Sequence, residues 1–489
     1  MNFTDYLFEN KKTSSNPLLI GEESVSYYEM YDRINNLAEF IYSRFGKGNE
    51  VLLLSDNNAF FITCYLAIIK SGNIAVLVET QIGDKDLQDI LNRCSLRAFF
   101  FQEKYLGKLQ EVPEDVYTES QVNKTANKKS SETQVPTEDS QTAVIIFTSG
   151  STGKKKGVML THRNLRENTN SIIEYFRLTD KDRICIVLPL FYCFGASLLH
   201  THIKVGGSIY LHNKPFLGSI IKEINEQGCT GFAGVPSTYQ ILINKTPFLK
   251  GNYPSLRYMA QAGGQLPNKF ISLITESLPD KEFFVMYGAT EATARLSYLP
   301  PSLVKKKMGS IGKGISGVTL EVLDENGKPV KPGETGEITA VGYNLMKGYY
   351  KDPEGTSMVL RDGRLYTGDL ATIDSDGFIY IVGRSKNIIK SGGYRISPYE
   401  IEGVILDLGN ILDCVVIGTP DDIMGEAVVA VVQSESEDEK ILQDTIIEGC
   451  RKKLPSYKIP QKIFVFSEFP LNSSNKVDRN KIKEMIHNG

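Results

Sequence analysis

A run rich in glycine, hydroxyl and lysine residues, Thr148 to Gly157 (TSGSTGKKKG), directly follows the apolar stretch Val144–Phe147. Glycines let a backbone approach a ligand closely, hydroxyls can donate to phosphate oxygens, and lysines supply positive charge. The run is not a Walker A loop, because Thr148 and Lys155 stand where that motif has glycine and Ser or Thr. A polar surface loop is the alternative interpretation. The residue types favour a phosphate-binding loop.

Four further segments carry polar side chains that could act with this loop, namely Tyr287–Glu291 (YGATE), Tyr366–Asp369 (YTGD), Asp376–Arg384 (DGFIYIVGR) and Pro470–Arg479 (PLNSSNKVDR). Each is common in isolation, but the order and separation of the five resemble the adenylate-forming superfamily. That group includes acyl- and aryl-CoA synthetases, peptide-synthetase adenylation domains and luciferases. The resemblance extends from about Ser26 to Lys483. It implies an enzyme that uses ATP to convert a carboxylic acid to an acyl-adenylate and then passes the acyl group to a thiol.

The resemblance implies how ATP binds. Adenine would pack between Tyr287 and the backbone strip Ala262-Gly263-Gly264, the ribose hydroxyls would bind Asp369, and Arg384 would make a second ribose or phosphate contact. Phosphate contacts would come from the loop and the YGATE segment: Thr148, Ser149, Gly150, Ser151, Thr152, Gly153, Lys156 and Thr290. Glu291 would hold Mg²⁺, for which one carboxylate beside substrate phosphates is chemically sufficient.

Two positions depart from the superfamily's pattern. Lys155 stands where most members have proline, and this extra lysine predicts either a more mobile loop or a stronger attraction for phosphate. Asn475 replaces the usual glycine next to Lys476, which affects the backbone shape of that loop.

Lys476 is implied to be the catalytic residue. Substrate carboxylate and α-phosphate are both anionic, and a cation placed between them stabilises the charge that accumulates in the transition state. The resemblance also implies a hinge at Lys386, about which a small domain rotates after adenylation. Rotation would bring Gly392 and Gly393 to the site as a tunnel for the pantetheine arm of the thiol substrate. An ordinary turn is the alternative explanation for these two glycines.

Tyr192 and Gly263 are implied to line the acyl pocket. Tyr192 lies in the segment Leu188–Gly195 (LPLFYCFG), where amino-acid-activating members place an aspartate that pairs with the ammonium group. An uncharged wall would leave that ammonium group buried and unpaired, which is costly. The sequence therefore predicts a carboxylic acid without an α-amino group. The predicted acceptor is CoA, and the alternative acceptor is the phosphopantetheine of a separate acyl carrier protein.

Three competing hypotheses come from other classes. A regulatory relative without catalysis is disfavoured because Glu291, Asp369, Arg384 and Lys476 are all present. A luciferase-like oxygenase would need a specific luminogenic acid. The third hypothesis is a doubly wound nucleotide-binding protein without ligase activity. It predicts no role for the last 100 or so residues.

Alternating strand-like and helix-like stretches predict α/β layers that position these residues. Ser26 and Glu29 have the spacing of a capping box that starts a helix. Predicted strands are Val51–Leu54, Val144–Phe147, Ile184–Leu188, Ser208–Leu211 and Phe283–Met286, and a helix is expected around Phe60–Ile69. The polar stretch from about Glu111 to Gln141 has little apolar surface, which predicts an exposed connection.

Beyond Gly309 the pattern changes to short strands separated by Gly, Pro and Asp turns, which predicts a β-rich subdomain. The predicted strands of this subdomain are Leu320–Leu323 and Gly336–Val341. A last unit follows, with predicted strands at Cys414–Ile417, Ala427–Val432 and Ile463–Phe466 and a predicted helix at about Glu439–Leu454. We therefore expect an α/β protein with a large domain, residues 1–385, and a small mobile α+β domain, residues 386–489.

Bulk composition limits the other possibilities. The 489 residues carry a formal net charge of −3 with both signs mixed, so we expect neither a nucleic-acid partner nor a membrane-surface protein. We find no secretory signal and no run of apolar residues that could span a bilayer. Seven cysteines without a C-x-x-C pair favour a reduced, cytoplasmic protein, and His200 and His202 are interpreted as packing residues rather than zinc ligands.

Overall fold

The computed structural model describes residues 1–127, 131–132, 134–149, 155–214, 216–408, 411–434, 438–472 and 476–487. The described chain is a mixed α/β protein with four sheets. Within these residues, no helix has the length and apolar content needed to cross a membrane.

The strands of the described residues, in chain order, are β1 (Pro17–Ile20), β2 (Val25–Ser26), β3 (Glu50–Leu54), β4 (Ile74–Leu77), β5 (Leu96–Phe101), β6 (Val116–Tyr117), β7 (Thr142–Ser149), β8 (Lys155–Thr161), β9 (Arg183–Ile186), β10 (Ser208–Leu211), β11 (Gly231–Gly234), β12 (Tyr258–Gln261), β13 (Glu282–Tyr287), β14 (Ser297–Leu299), β15 (Lys313–Gly314), β16 (Val318–Leu323), β17 (Thr335–Gly342), β18 (Gly348–Tyr349), β19 (Leu360–Arg361), β20 (Arg364–Ile373), β21 (Ile379–Arg384), β22 (Ile389–Ser391), β23 (Tyr394–Ile396), β24 (Asp413–Asp421), β25 (Gly425–Gln433) and β26 (Lys462–Phe466).

The α-helices of the same residues are α1 (Phe3–Leu7), α2 (Tyr27–Phe45), α3 (Ala59–Lys70), α4 (Asp84–Arg93), α5 (Glu119–Ala126), α6 (His162–Phe176), α7 (Cys193–Val205), α8 (Ile220–Glu226), α9 (Pro236–Lys245), α10 (Asn268–Ser277), α11 (Pro353–Val359), α12 (Pro398–Leu406), α13 (Glu439–Lys453) and α14 (Arg479–His487).

Two large sheets, each mainly parallel, contain most of the strands before residue 314. The first has the order β15-β14-β13-β12-β11-β9-β10-β1-β2. Its six strands β13, β12, β11, β9, β10 and β1 are parallel to one another. The second has the order β18-β8-β7-β4-β3-β5-β6, with β7 through β6 in that order parallel. Parallel strands end at one edge of a sheet, where ligands of open α/β sheets bind.

Both large sheets share one core with the helices α2, α3, α6 and α7. Every residue of α3 is buried, as expected of a helix that is apolar on all faces. The helix begins where the Asn58 side chain accepts a hydrogen bond from the backbone N–H of Phe61. A separate core on the other face of the first sheet includes residues of α8, α9 and α10.

Two smaller sheets follow. The third has the order β16-β17-β20-β19, with β21 also paired to β20, and is entirely antiparallel. The fourth has the order β23-β22-β25-β24, with β26 parallel to β25. Side chains alternate across β24 and β25, so that Val416 and Ala430 pack toward α12 and α13 while Val415 and Val429 pack toward α14.

The structure confirms the predicted strands within one or two residues at most ends, and the capping box of Ser26 and Glu29 begins α2. The prediction of an exposed connection from Glu111 to Gln141 is wrong in part. This stretch contains β6 and α5, and α5 begins with a capping box of Thr118 and Gln121. Val122 and Ala126 of α5 are buried, and Asn36 of α2 donates a hydrogen bond to the Ala126 carbonyl over 2.8 Å.

His200 and His202 are buried packing residues. A hydrogen bond of 2.9 Å joins His200 Nε2 to the Tyr65 hydroxyl, and one of 2.8 Å joins His202 Nδ1 to the Leu198 carbonyl. Burial lowers the pKa of His200 to about 3 and that of His202 to about 4. Both rings are therefore neutral at ordinary pH.

Candidate active site

Three of the predicted site segments begin where parallel strands of the first sheet end. Tyr287 is the last residue of β13, Gly263 and Gly264 follow β12, and the segment with Tyr192 follows β9. The segment after β9 turns so tightly that a Cβ on Gly195 would lie 2.1 Å from the Pro189 carbonyl oxygen. Only glycine fits at this position. The sheet edge thus brings together residues that are about 100 positions apart in sequence.

Tyr287, Asp369 and Arg384 form a hydrogen-bonded network in which Tyr287 and Asp369 are buried and the Arg384 side chain is 43% exposed. Asp369 and Arg384 are direct partners across β20 and β21, and Arg384 Nε donates to Asp369 Oδ1 over 2.6 Å. The Tyr287 hydroxyl donates to Asp369 Oδ2 over 2.7 Å. Burial, and secondarily the Asp369 carboxylate, raises the pKa of Tyr287. A carboxylate has about four acceptor positions, so Asp369 retains capacity for ligand hydroxyls.

Glu291 lies in a short 3-10 turn, Thr290–Ala292, directly after this network's tyrosine. Its Oε1 accepts a hydrogen bond of 2.8 Å from the Tyr349 hydroxyl, which fixes the carboxylate's orientation. Burial, and then Glu291 itself, raises the pKa of Tyr349. Thr290 is buried, and its hydroxyl lies 3.4 Å from the Cys193 sulfur. In the described part of the chain, no group of three His, Cys, Asp or Glu side chains has an arrangement that could hold a metal ion by itself.

This arrangement fits Mg²⁺ bound with substrate. The Tyr349 hydroxyl orients the carboxylate through Oε1, and Mg²⁺ usually takes one or two carboxylates with substrate phosphates and water. Glu291 would therefore be the protein's ligand to the ion.

Lys156 in β8 faces the same region. Its Nζ lies 4.5 Å from the centre of the Tyr349 ring and 3.7 Å from Asp352 Oδ2. Lys155, its neighbour in the strand, points to a different place and forms ion pairs with Glu79 and Asp86. Lys155, which replaces the superfamily's proline, therefore forms ion pairs within the protein. It does not point to the region that Lys156 faces.

The phosphate loop is only partly described. Thr148 and Ser149 pair with Lys156 and Lys155 across β7 and β8, and the Thr148 hydroxyl donates to the Lys156 carbonyl over 3.4 Å. The predicted residues Gly150, Ser151, Thr152 and Gly153 lie outside the described residues.

Lys476 reaches from the C-terminal unit into this site. Its Nζ donates to the Tyr192 hydroxyl over 2.5 Å. Gly263 has φ +90°, and a Cβ there would lie 2.9 Å from Lys476 Cε, so glycine leaves the space that the lysine occupies. Burial raises the pKa of Tyr192, and the charge of Lys476 opposes that effect.

Contacts of the flanking residues hold Lys476 in place. Leu471 and Val477 form a bridge, and Lys476 exchanges hydrogen bonds with Asn472. Further along the chain, Arg479 donates two hydrogen bonds of 2.7 and 2.8 Å to the buried carboxylate of Glu402, which ties this segment to α12. Asn475 lies outside the described residues.

The predicted thiol loop is elsewhere. Gly392 and Gly393, with φ of +56° and +83°, form the two-residue turn of the β22–β23 hairpin. In the described part of the chain, no hydrogen bond joins this hairpin to Glu291, Asp369 or Lys476. Lys386 lies in the 3-10 turn Ser385–Asn387, between β21 of the third sheet and β22 of the fourth.

Two site residues were not identified from the sequence. Tyr349 orients Glu291 but carries no local signal, since the two are 58 positions apart. Arg295 is 1% exposed, and its guanidinium lies 4.0 Å from the centre of the Phe194 ring. A charged residue within the mostly apolar run that follows Glu291 was the available signal.

Family models match both parts of the chain: that for AMP-binding enzymes matches residues 9–350, and that for the AMP-binding enzyme C-terminal domain matches residues 400–476. The chain belongs to the AMP-binding enzyme family. Similar members include a feruloyl-CoA synthase of Amycolatopsis sp, 29% identical, with 95% of this chain and 94% of that protein covered. A 2-succinylbenzoate–CoA ligase of Bacillus cytotoxicus is 30% identical, with the same shares covered.

Solved structures of AMP-binding enzymes have the same fold. The o-succinylbenzoate CoA synthetase of Bacillus subtilis, in complex with an acyl-adenylate intermediate, superposes with a TM-score of 0.87 at 26% identity, covering 98% of each chain. The same enzyme in complex with ATP and a magnesium ion gives a TM-score of 0.85, covering 98% of this chain and 99% of that one. The fold prediction of a large α/β part followed by a small C-terminal part is confirmed.

Proposed function

We propose that this AMP-binding enzyme is an acid–thiol ligase that forms an acyl-adenylate from ATP and a carboxylic acid, and then a thioester. The observation that carries the proposal is Lys476, which lies against Tyr192 and Gly263 at the edge where the Tyr287–Asp369–Arg384 network and Glu291 also lie. A cation, an oriented carboxylate and a buried aspartate near one sheet edge are the groups that adenylation needs.

In the first half-reaction a carboxylate oxygen of the acid attacks the α-phosphorus of ATP. The new acyl–O–P bond forms as the bond to the β-phosphate oxygen breaks, and pyrophosphate leaves. Lys476 would stabilise the negative charge on the approaching groups. Tyr287 would pack against adenine while Asp369, held by Arg384, accepts the ribose hydroxyls. Mg²⁺, held by Glu291, supplies charge neutralisation for the phosphates when it is bound.

In the second half-reaction the thiol sulfur attacks the acyl carbonyl carbon, AMP leaves with the C–O bond electrons, and the thiol proton passes to solvent. The domain boundary at 385/386, the hinge at Lys386 and the thiol passage at Gly392 and Gly393 belong to this proposal. CoA is the proposed thiol, supported by relatives named as CoA ligases. A separate acyl carrier protein is the alternative acceptor. We also propose a cytoplasmic location, which the seven buried, free cysteines fit.

A panel of acids scored by ATP-dependent pyrophosphate release tests the proposal. The panel contains straight-chain, aromatic and dicarboxylic acids and α-amino acids, each with CoA, with a phosphopantetheinylated carrier protein, or with neither. We expect release with acids that lack an α-amino group and thioester formation with CoA. An enzyme that activates only amino acids contradicts the proposed substrate class, and one that releases no pyrophosphate with any acid contradicts the ligase itself.

A further inference from the structure

Arg295 is the largest side chain in the fully buried interior, and no described acidic residue forms an ion pair with it. Nη1 donates to the Ala294 carbonyl over 3.2 Å, and Nε lies 3.3 Å from the Met286 sulfur. Nη2 is buried and has no hydrogen-bond partner in the described chain. A guanidinium stays protonated in proteins, and the described groups around this charge, which are the Ala294 carbonyl, the Met286 sulfur, the Tyr175 hydroxyl and the Phe194 ring, are all neutral.

The unpaired guanidinium is unfavourable in the free protein. A buried charge without an opposite charge or a full set of hydrogen bonds costs several kcal/mol of the free energy of folding. A methionine or leucine would fill such an interior position at lower cost. The contacts with Ala294 and Phe194 hold the side chain in one orientation, but they leave its net charge uncompensated. These contacts therefore explain where the guanidinium lies and not why the position is charged.

The Arg295 guanidinium lies against the segment that carries Tyr192, 4.0 Å from the centre of the Phe194 ring. A Cβ on Gly288 would lie 2.9 Å from Arg295 Cα, so the backbone of Arg295 packs against the turn that leads from Tyr287 to Glu291. Burial raises the pKa of the Tyr192 hydroxyl and of the Cys193 thiol, and the charges of both Lys476 and Arg295 oppose it. The two cations thus act on the same stretch of pocket wall.

We propose that Arg295 binds a second anionic group at the far end of the acyl substrate, so that the substrate is a dicarboxylic acid. Lys476 receives the carboxylate that is adenylated, and the free Nη2 of Arg295 donates to the distal carboxylate. The planar guanidinium matches carboxylate geometry, and the substrate supplies the negative charge that the protein does not. This inference rests on the proposed ligase function and specifies its substrate class.

Matched pairs of acids test the inference. Dicarboxylic acids of four to eight carbons are compared with monocarboxylic acids of equal length, and with the monoamides of the diacids, by kcat/KM for pyrophosphate release. We expect the best diacid to exceed its monoacid by about 10- to 100-fold, the range of a charge-assisted hydrogen bond in a buried site. Equal rates for diacid and monoamide would overturn the requirement for a second charge.

Two variants test whether Arg295 causes the preference for the diacid. Arg295→Met keeps an apolar side chain in the interior, and it should lose most activity on the diacid while keeping or gaining activity on the monoacid. Arg295→Lys keeps the charge and should retain part of the preference for the diacid. Arg177→Met removes an exposed arginine, whose side chain is 63% exposed, and serves as the control with wild-type preference.

The outcomes separate the two proposals. Activity of the wild-type enzyme on monoacids with no preference for any diacid overturns the inference and leaves the ligase function in place. Equal losses on both members of every pair in Arg295→Met assign the residue a structural role and also overturn it. Pyrophosphate release with no acid at all overturns the ligase function and this inference with it. If Arg295→Met does not fold, the wild-type preference and Arg295→Lys decide the matter.

Discussion

At the scale of single residues, three of the proposed functional groups are each oriented by a neighbouring residue. Arg384 fixes Asp369, Tyr349 fixes Glu291, and Asn472 fixes the backbone of Lys476. Such neighbours keep the reacting geometry without reorganisation when charge develops, which is the main source of electrostatic catalysis. We therefore expect the reaction rate to fall strongly when the functional residue is substituted and less when its orienting neighbour is substituted.

Glu291 and Tyr349 allow that comparison. Glu291→Ala removes the proposed Mg²⁺ ligand, and we expect pyrophosphate release to fall by about 10²–10³-fold, as for loss of one strong transition-state contact. Tyr349→Phe removes only the hydrogen bond to Glu291 and should cost much less. Glu325→Ala, in an exposed turn, is the matched control. Rates are measured across a magnesium titration, and wild-type rates for Glu291→Ala at every concentration would rule out the assignment.

At the scale of elements, the apolar runs identified the strands because their side chains are buried on both faces of parallel sheets. α5 was missed because only two of its eight residues, Val122 and Ala126, are buried. The pairing of strands within a sheet could not be predicted from the sequence either. Asp369 and Arg384 lie opposite each other through the register of β20 and β21, which includes a bulge at Leu370–Ala371 that composition does not indicate. Arg295 was missed because its position is defined by long-range packing.

The β22–β23 hairpin gives a prediction at this scale. Gly393→Leu should retain adenylation and lose thioester formation, because a bulky side chain would obstruct the passage proposed for the pantetheine arm. No atom lies within 4 Å of a Cβ at Gly393, so the fold itself has room for the side chain. Positive φ imposes a backbone cost of about 1–3 kcal/mol on a non-glycine residue. Gly327→Leu bears the same cost, since Gly327 has φ +75° and open space.

Hydroxamate trapping measures adenylation, and thioester formation from supplied acyl-adenylate and CoA measures the second step. Equal loss of thioester formation in Gly393→Leu and Gly327→Leu would indicate general destabilisation and contradict a role for the hairpin.

At the scale of the whole molecule, polar contacts join the C-terminal unit to the rest of the chain. Gln240 donates to the Leu412 carbonyl over 3.4 Å, and Lys269 donates to the Ile411 carbonyl over 2.5 Å. Among the described residues, the C-terminal unit shares no apolar core with the rest of the chain, and polar contacts of this kind are compatible with a change of domain orientation. The orientation in the structure places Lys476 at Tyr192, as the proposed role of Lys476 in adenylation requires.

We expect Asp413, which lies beside these contacts, to make that orientation sensitive to pH. Burial raises its pKa from 3.8 to about 6; Glu402 adds to the shift, while the Cys414 N–H, Gln240 and Arg479 oppose it. An acid with a raised pKa stabilises the state that buries it at low pH, and this stabilisation is lost as pH rises through about 6. We expect the ratio of adenylation to thioester transfer to fall between pH 5 and 7.

Asp413→Asn keeps a neutral side chain and should flatten this profile, whereas Asp422→Asn, at an exposed position, should leave it unchanged. Dividing the wild-type profile by that of Asp413→Asn cancels the ionisation of the CoA thiol. Identical profiles for wild type and Asp413→Asn would show that Asp413 does not couple pH to orientation.

Lys476 separates the two half-reactions most sharply, because the proposed rotation removes it from the site before thiol transfer. Lys476→Ala deletes the cation between carboxylate and α-phosphate, and we expect adenylation from acid and ATP to fall by about 10²–10³-fold. Given ready-made acyl-adenylate and CoA, the same variant should form thioester at close to the wild-type rate. Lys440→Ala, an exposed lysine of the same unit, should leave both steps unchanged. If Lys476→Ala slows both half-reactions equally, one fixed orientation serves both steps, and the contacts of Gln240 and Lys269 with the C-terminal unit are permanent.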